Sequence, residues 1–289
     1  MKSLLIGIDG SAAAKAVARY GSALATALGD SAVLAFVNPP VEMMTPDVVM
    51  PETWVTGLKK EAETALEDAA AACTWTTRPA REMASGPIAA TLLEVAAKVA
   101  AELVLVGRVG HGPIASAILG SVADRLAQIS DRPVLVLPHE DSRGAPANGR
   151  RLQFTRILVG VDGSAESQKA VALAAHLAER LNAQIILANA VAPGAISARR
   201  LPGYASWQKA ARDWGERLVA AEAAKLSKPS QIVVRLERPS SMLCSLAEER
   251  DVDFIVVGHR GRGAPARILL GSVADEVLRN SQRPVLISH

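Results

Sequence analysis

Short unbroken apolar runs alternate along this chain with longer stretches whose apolar positions recur every three or four residues. The runs SLLIGI at 3–8 and RILVGV at 156–161 are too short for buried helices and read as strands covered on both faces. After each comes a helical stretch. In the later one Val171, Ala174, Ala175, Leu177, Ala178 and Leu181 share a face. These helices should stop at Gly29 and Asn182, the residue types that best tolerate a left-handed C-terminal position. The pattern continues with strands at 32–37 and 184–191, helices at about 56–73 and 205–226, and strands near 76–83 and 231–237. Helices follow near 88–99 and 240–250, then strands ELVLVG at 102–107 and DFIVVG at 253–258. Helices start at Ser121 and Ser272, and the last strands are RPVLVL at 132–137 and RPVLIS at 283–288.

The pairing of these ranges reflects a duplication. GSVAD occurs at 120–124 and 271–275, RPVL at 132–135 and 283–286, and IGIDGS at 6–11 is echoed by VGVDGS at 159–164. Three matches in one order at nearly constant offset indicate two copies of a whole domain, too long for a solenoid unit. The expected division is a first domain at 1–138, a polar linker with Pro and Gly at 139–154, and a second domain at 155–289. Strands alternating with helices imply an α/β fold with a parallel sheet and helices on both faces. Ligands of such sheets bind beyond the carboxyl ends of the strands, where strand order reverses. Strands one and four are the expected neighbours there.

The turns after strand four are unusual. They read GRVGHGPIASAILGS at 107–121 and GHRGRGAPARILLGS at 258–272, each Gly, two residues, Gly, nine residues, Gly, Ser. Gly107, Gly110 and Gly112, with Gly258, Gly261 and Gly263, let backbone N–H groups turn inward. Gly120 and Gly271 let a phosphate approach the next helix, whose N-terminus supplies free amides beside Ser121 and Ser272. Arg108 and His111, and His259, Arg260, Arg262 and Arg267, can offset phosphate charge. The bland alternative is a turn with a serine N-cap. The loops lack Gly-Lys-Ser/Thr, so they are not Walker A loops, and they follow strand four, unlike the dehydrogenase fingerprint. Asp9 and Asp162 close strand one within Asp-Gly-Ser, which includes Gly10, Ser11, Gly163 and Ser164. That tripeptide is a good turn and helix start, or else it holds a carboxylate over the crevice near a ribose or a metal-bound water. Gly7 and Gly160 lie inside strands, which suggests close approach of a ligand or chain.

Composition narrows the classes. Apolar residues are 49% and aromatics 3%, which suits helices on parallel strands better than an aromatic-rich sandwich. The net charge of +3 is spread among interspersed acids, with no basic stripe interleaved with aromatics, so no nucleic-acid partner is expected. Two distant cysteines, Cys73 and Cys244, exclude a disulfide framework and point to a reducing compartment. With no signal peptide or membrane-length apolar stretch, a cytoplasmic protein without a membrane partner is expected. The five histidines form no Ser-His-Asp or zinc spacing, and no paired carboxylates appear, so weak ATP hydrolysis is the most enzymatic activity expected.

On the Gly-x2-Gly-x9-Gly-Ser loops and the strand-one aspartates, the chain resembles the universal stress protein family in its tandem, ATP-binding form. The resemblance covers nearly the whole chain. It implies two Rossmann-like (adenine nucleotide alpha hydrolase-like) domains, each a five-stranded parallel sheet of order 3-2-1-4-5. It also implies ATP with Mg2+ and roles in stress or growth control. The adenine-contacting position at the end of strand two matches Val37 and Ala190. Val122 and Val273 after the motif serines line the site, as do Val106 and Val257 in strand four. The family's pairing through strand five implies an intrachain pseudo-dimer and a homodimer, with protein partners unknown.

Overall fold

A computed structural model gives the structure over residues 2–40, 51–110, 119–138, 152–192, 202–228, 230–262 and 269–289. Two compact units divide between Gln153 and Phe154. The first contains β1 (Ser3–Ile8), α1 (Ala12–Leu28), β2 (Ser31–Asn38), α2 (Glu52–Ala71), β3 (Ala80–Ser85), α3 (Ile88–Lys98), β4 (Ala101–Gly107), α4 (Ser121–Ile129) and β5 (Val134–Leu137). The second repeats them as β6 (Arg156–Gly160), α5 (Ala165–Leu181), β7 (Gln184–Ala190), α6 (Tyr204–Ala223), β8 (Gln231–Arg235), α7 (Pro239–Glu249), β9 (Phe254–Gly258), α8 (Ser272–Asn280) and β10 (Val285–Ser288).

The strand order in the first unit is β3-β2-β1-β4-β5, and in the second β8-β7-β6-β9-β10. The pairs β1–β2, β1–β4, β2–β3 and β4–β5 are parallel, as are β6–β7, β6–β9, β7–β8 and β10–β9. The order reverses between β1 and β4 and between β6 and β9, at the expected crevice. The central strands are sealed on both faces: Leu5, Ile6, Val104 and Leu105, and Ile157, Leu158, Ile255 and Val256, have no exposed surface. Full burial of each such side chain stabilises the fold by about 1.5–3 kcal/mol.

Local sequence sets the helix ends. Ser11 caps α1 by accepting from the Ala14 amide, and Ser164 caps α5 through the Ser167 amide. Gly29 at φ 69° and Asn182 at φ 52° end these helices in the left-handed region. A Cβ on Gly29 would meet nothing within 4 Å, so Gly29→Ala should cost only its backbone strain, about 1 kcal/mol by chemical denaturation.

Some boundaries differ from expectation. Strand three begins at Ala80 rather than near 76, because Thr74 to Pro79 carry the chain around the edge after α2. Strand five begins at Val134 and Val285, leaving Arg132, Pro133, Arg283 and Pro284 in the preceding turns, since Pro cannot donate to a ladder. The serines after the motif glycines are not N-caps: Gly120 and Gly271 occupy that position, without a side-chain bond.

Candidate functional site

In each unit the strand-one turn and the strand-four loop meet. Asp9 Oδ1 accepts from the Ser11 amide at 3.0 Å and the Ser11 hydroxyl at 2.6 Å. Asp162 Oδ1 repeats this with Ser164 at 2.9 and 2.6 Å. The other oxygen faces the loop, where Asp162 Oδ2 accepts from the Arg262 amide at 2.9 Å. A Cβ on Gly261 would stand 2.8 Å from that oxygen, and one on Gly110 would fall even closer to Asp9 Oδ2. Asp-Gly-Ser therefore starts the helix in each unit, and in the second unit its carboxylate also latches the glycine loop.

Burial pushes the Asp162 carboxyl up. Hydrogen bonds from the Ser164 side chain and amide, the Arg262 amide and Ser167 outweigh it, holding the group below the usual aspartate range. Gly120 and Gly271 close the loop. Their amides donate to the carbonyls of Arg108 and His259, each at 2.7 Å. A Cβ on Gly120 would lie 2.9 Å from the Arg108 oxygen, and one on Gly271 3.1 Å from Arg260 Cα. The close approach at these glycines is thus to the loop's own backbone. At Gly7 it is to Val106 and Leu92, and at Gly160 to Leu243 and Val257.

In the first unit these elements enclose a cavity of about 600 Å³. It gathers Gly7, Asp9, Ser11, Val37, Val106, Gly107, Arg108, Gly110, Gly120, Ser121 and Val122, all singled out from the sequence. Gly10 is not among the lining residues. It shapes the turn at φ 82°, as Gly163 does at φ 81°. His111, Gly112, Gly263 and Arg267 lie outside the described residues. Sequence reasoning missed one wall, formed by Phe36, Leu58, Glu61, Ile88 and Leu92. Its signal was present in α2. Leu58 and Glu61 stand on the face that also buries Ala62, Ala65, Leu66 and Ala69.

The second unit keeps the frame and changes the lining. Val257 is 4% exposed and Ala190 ends β7, while Ser272 and Val273 open α8. The burial pattern of α2 recurs in α6 at Gly215, Val219 and Glu222, with Leu218 half-buried at the remaining position, an offset of 153 residues. Glu61 thus corresponds to Trp214, and Ala65 to Leu218, whose Cδ1 packs 2.9 Å from where Gly163 would carry a Cβ. Phe36 corresponds to Asn189, which is buried and donates to the Val161 carbonyl at 2.6 Å. Arg262 lays its guanidinium 5.1 Å from the Trp214 ring centroid.

The cations near the loops differ in availability. Arg108 is 3% exposed. His259 packs between Glu166, at 3.4 Å, and His289, stacked at 5.0 Å between centroids. Burial drives the His259 pKa down more than Glu166 raises it, which disfavours the charged ring. Arg260 and Arg262 are the second loop's described cations. Among the described residues, no group of three His, Cys, Asp or Glu side chains is placed to hold a metal ion, and no helix is long and apolar enough to cross a membrane.

The profile of the Universal stress protein family matches residues 1–138 and 153–289. A universal stress protein of Mycobacterium tuberculosis is 29% identical over 296 residues, covering 99% of this chain and 96% of the relative. Another from Mycolicibacterium smegmatis is 27% identical over 293 residues, covering 98% and 96%. Among solved structures, a universal stress protein from Archaeoglobus fulgidus superimposes with TM-score 0.68 at 19% identity, over 99% of this chain and 97% of that one.

Proposed function

Because this chain belongs to the universal stress protein family, we propose that it is an ATP-binding stress-response protein, with one nucleotide held by the glycine loop of each half. The observation that carries this reading is the cavity of about 600 Å³ where β1 and β4 part. Its volume lies within the usual range of small-molecule sites, and its walls divide by chemistry. Part of the lining is apolar, built from Val37, Phe36, Leu58 and Leu92, and suits a base. Another part is Gly107, Gly110, Gly120 and Ser121, where loop amides and the α4 N-terminus suit phosphate.

ATP fits these residues. Mg2+ fits only as an ion carried largely by phosphate oxygens and water, with Asp9 or Asp162 as the nearby carboxylate, since Mg2+ commonly keeps several waters. Both carboxylates already hold their own turns, and Asp162 its loop as well, so the chain is proposed to bind ATP without sustained turnover. Neither Cys73 nor Cys244 is in a disulfide, which supports a reducing compartment, the cytoplasm, as the place of action, and burial pushes the Cys73 thiol up to about 11, so it is a poor nucleophile there.

Freshly purified chain, denatured and analysed by mass spectrometry, should release adenine nucleotide. Nucleotide-stripped chain should take up Mg-ATP at close to two per chain by calorimetry. No uptake of any adenine nucleotide, and no thermal shift, would leave the loops as structure only.

A further inference from the structure

We propose that the two crevices divide nucleotides by charge, the first favouring nucleoside monophosphates and the second favouring triphosphates. This rests on the reading of both crevices as adenine-nucleotide sites.

Different residues stand opposite the two glycine loops. In the second unit Arg262 is anchored by its amide to Asp162, and its guanidinium reaches Trp214 on α6. The side chain at position 214 is therefore within one arginine's length of the phosphate loop. The corresponding residue on α2 is Glu61, which lines the first cavity. A polyphosphate entering the first crevice thus meets a carboxylate where the second crevice offers an aromatic ring carrying a guanidinium.

The loops differ in the same sense. Val109 lines the first cavity, and its counterpart is Arg260. Arg260 Nε is buried without a hydrogen-bond partner, so this donor is available to a phosphate. Among the described residues, the first crevice sets Asp9 and Glu61 against the buried Arg108. The second sets Asp162 against Arg260 and Arg262, its further acid Glu166 being paired with Lys169 at 3.0 Å. ATP carries about two more negative charges than AMP at neutral pH. That excess is repelled by Glu61 and drawn by two guanidinium groups, which suit phosphate geometry.

The test isolates each crevice in the full-length chain. Gly261→Val leaves the first site to be read, and Gly110→Val leaves the second. Calorimetry with AMP and with ATP, both free of divalent cation so that the extra charges of ATP stay uncompensated, gives a preference ratio for each half. The preference for ATP over AMP should be about tenfold greater in the second half. Glu61→Gln should move the first half toward ATP, and Arg260→Ala with Arg262→Ala should move the second toward AMP. The wild-type chain provides a check that needs no glycine substitution. Raising salt should weaken ATP binding more at the second site, read as the part of the tryptophan emission change that Trp214→Phe removes. Equal ratios in the two halves, or ratios indifferent to Glu61 and the arginines, overturn the division by charge and leave nucleotide binding intact. Failure of the wild-type chain to bind either nucleotide overturns the underlying reading instead.

Discussion

Gly110→Val should weaken nucleotide uptake by the first half roughly a hundredfold, the size expected when overpacking of up to about 3 kcal/mol falls on a binding loop. The Cβ would collide with Asp9 Oδ2, a carboxylate fixed in place by the Ser11 amide and hydroxyl. Asp9 cannot swing aside without uncapping the turn, so the loop must lift from the crevice and carry its amides away from the phosphates. Gly261→Val should act in the same direction but less strongly, since its Cβ would stand 2.8 Å from Asp162 Oδ2. Two controls separate this cause from general damage. A Cβ on Gly57, within α2, meets nothing within 4 Å, so Gly57→Ala should leave uptake unchanged. Asp9→Ala combined with Gly110→Val should recover part of the affinity, because the colliding oxygen is gone; such coupling marks a direct contact. Calorimetry with Mg-ATP reads all four chains. Full affinity in Gly110→Val would show that this loop does not hold the nucleotide.

The frame of this molecule was legible because its cues are local. Six-residue apolar runs such as SLLIGI admit few readings, and Gly29 and Asn182 sit where a left-handed residue was expected. Ala100 and Asp251 also adopt positive φ, at 51° and 50°, between the third helix and fourth strand of each half. Alanine does not announce that conformation, and aspartate only tolerates it better than most. The loop glycines were legible as exceptional, but their cause was not. Gly110 and Gly261 make room for an aspartate about 100 positions away in sequence, a contact that only the sheet order creates. The cavity's missed wall has the same origin. Leu58 and Glu61 look like ordinary positions of an amphipathic helix until α2 is laid over β1 and β2. The exchange of Glu61 for Trp214 becomes visible only when burial aligns the two helices, because the halves share few identities there.

Asp162→Ala should destabilise the second unit by about 2 kcal/mol at neutral pH, the order expected when hydrogen bonds to an ionised group are lost. Three are at stake: the Ser164 amide, the Ser164 hydroxyl and the Arg262 amide, at 2.9, 2.6 and 2.9 Å. The effect should depend on pH in a defined sense. The Asp162 pKa is lower in the folded chain than in the unfolded one, where an aspartate titrates near about 3.9. Its contribution is therefore fully present above the unfolded value and is lost as pH falls through the folded one. The difference between wild type and Asp162→Ala should stay level between about pH 6 and pH 8, then shrink below about pH 4. Chemical denaturation across that range measures it. A difference that instead grows on acidification would mean that burial, rather than the Ser164 and Arg262 hydrogen bonds, dominates the carboxyl group. The same carboxylate joins the turn that starts α5 to the loop that ends at α8, so loss of this latch should also raise amide exchange in Gly261 and Arg262 before the strands themselves exchange.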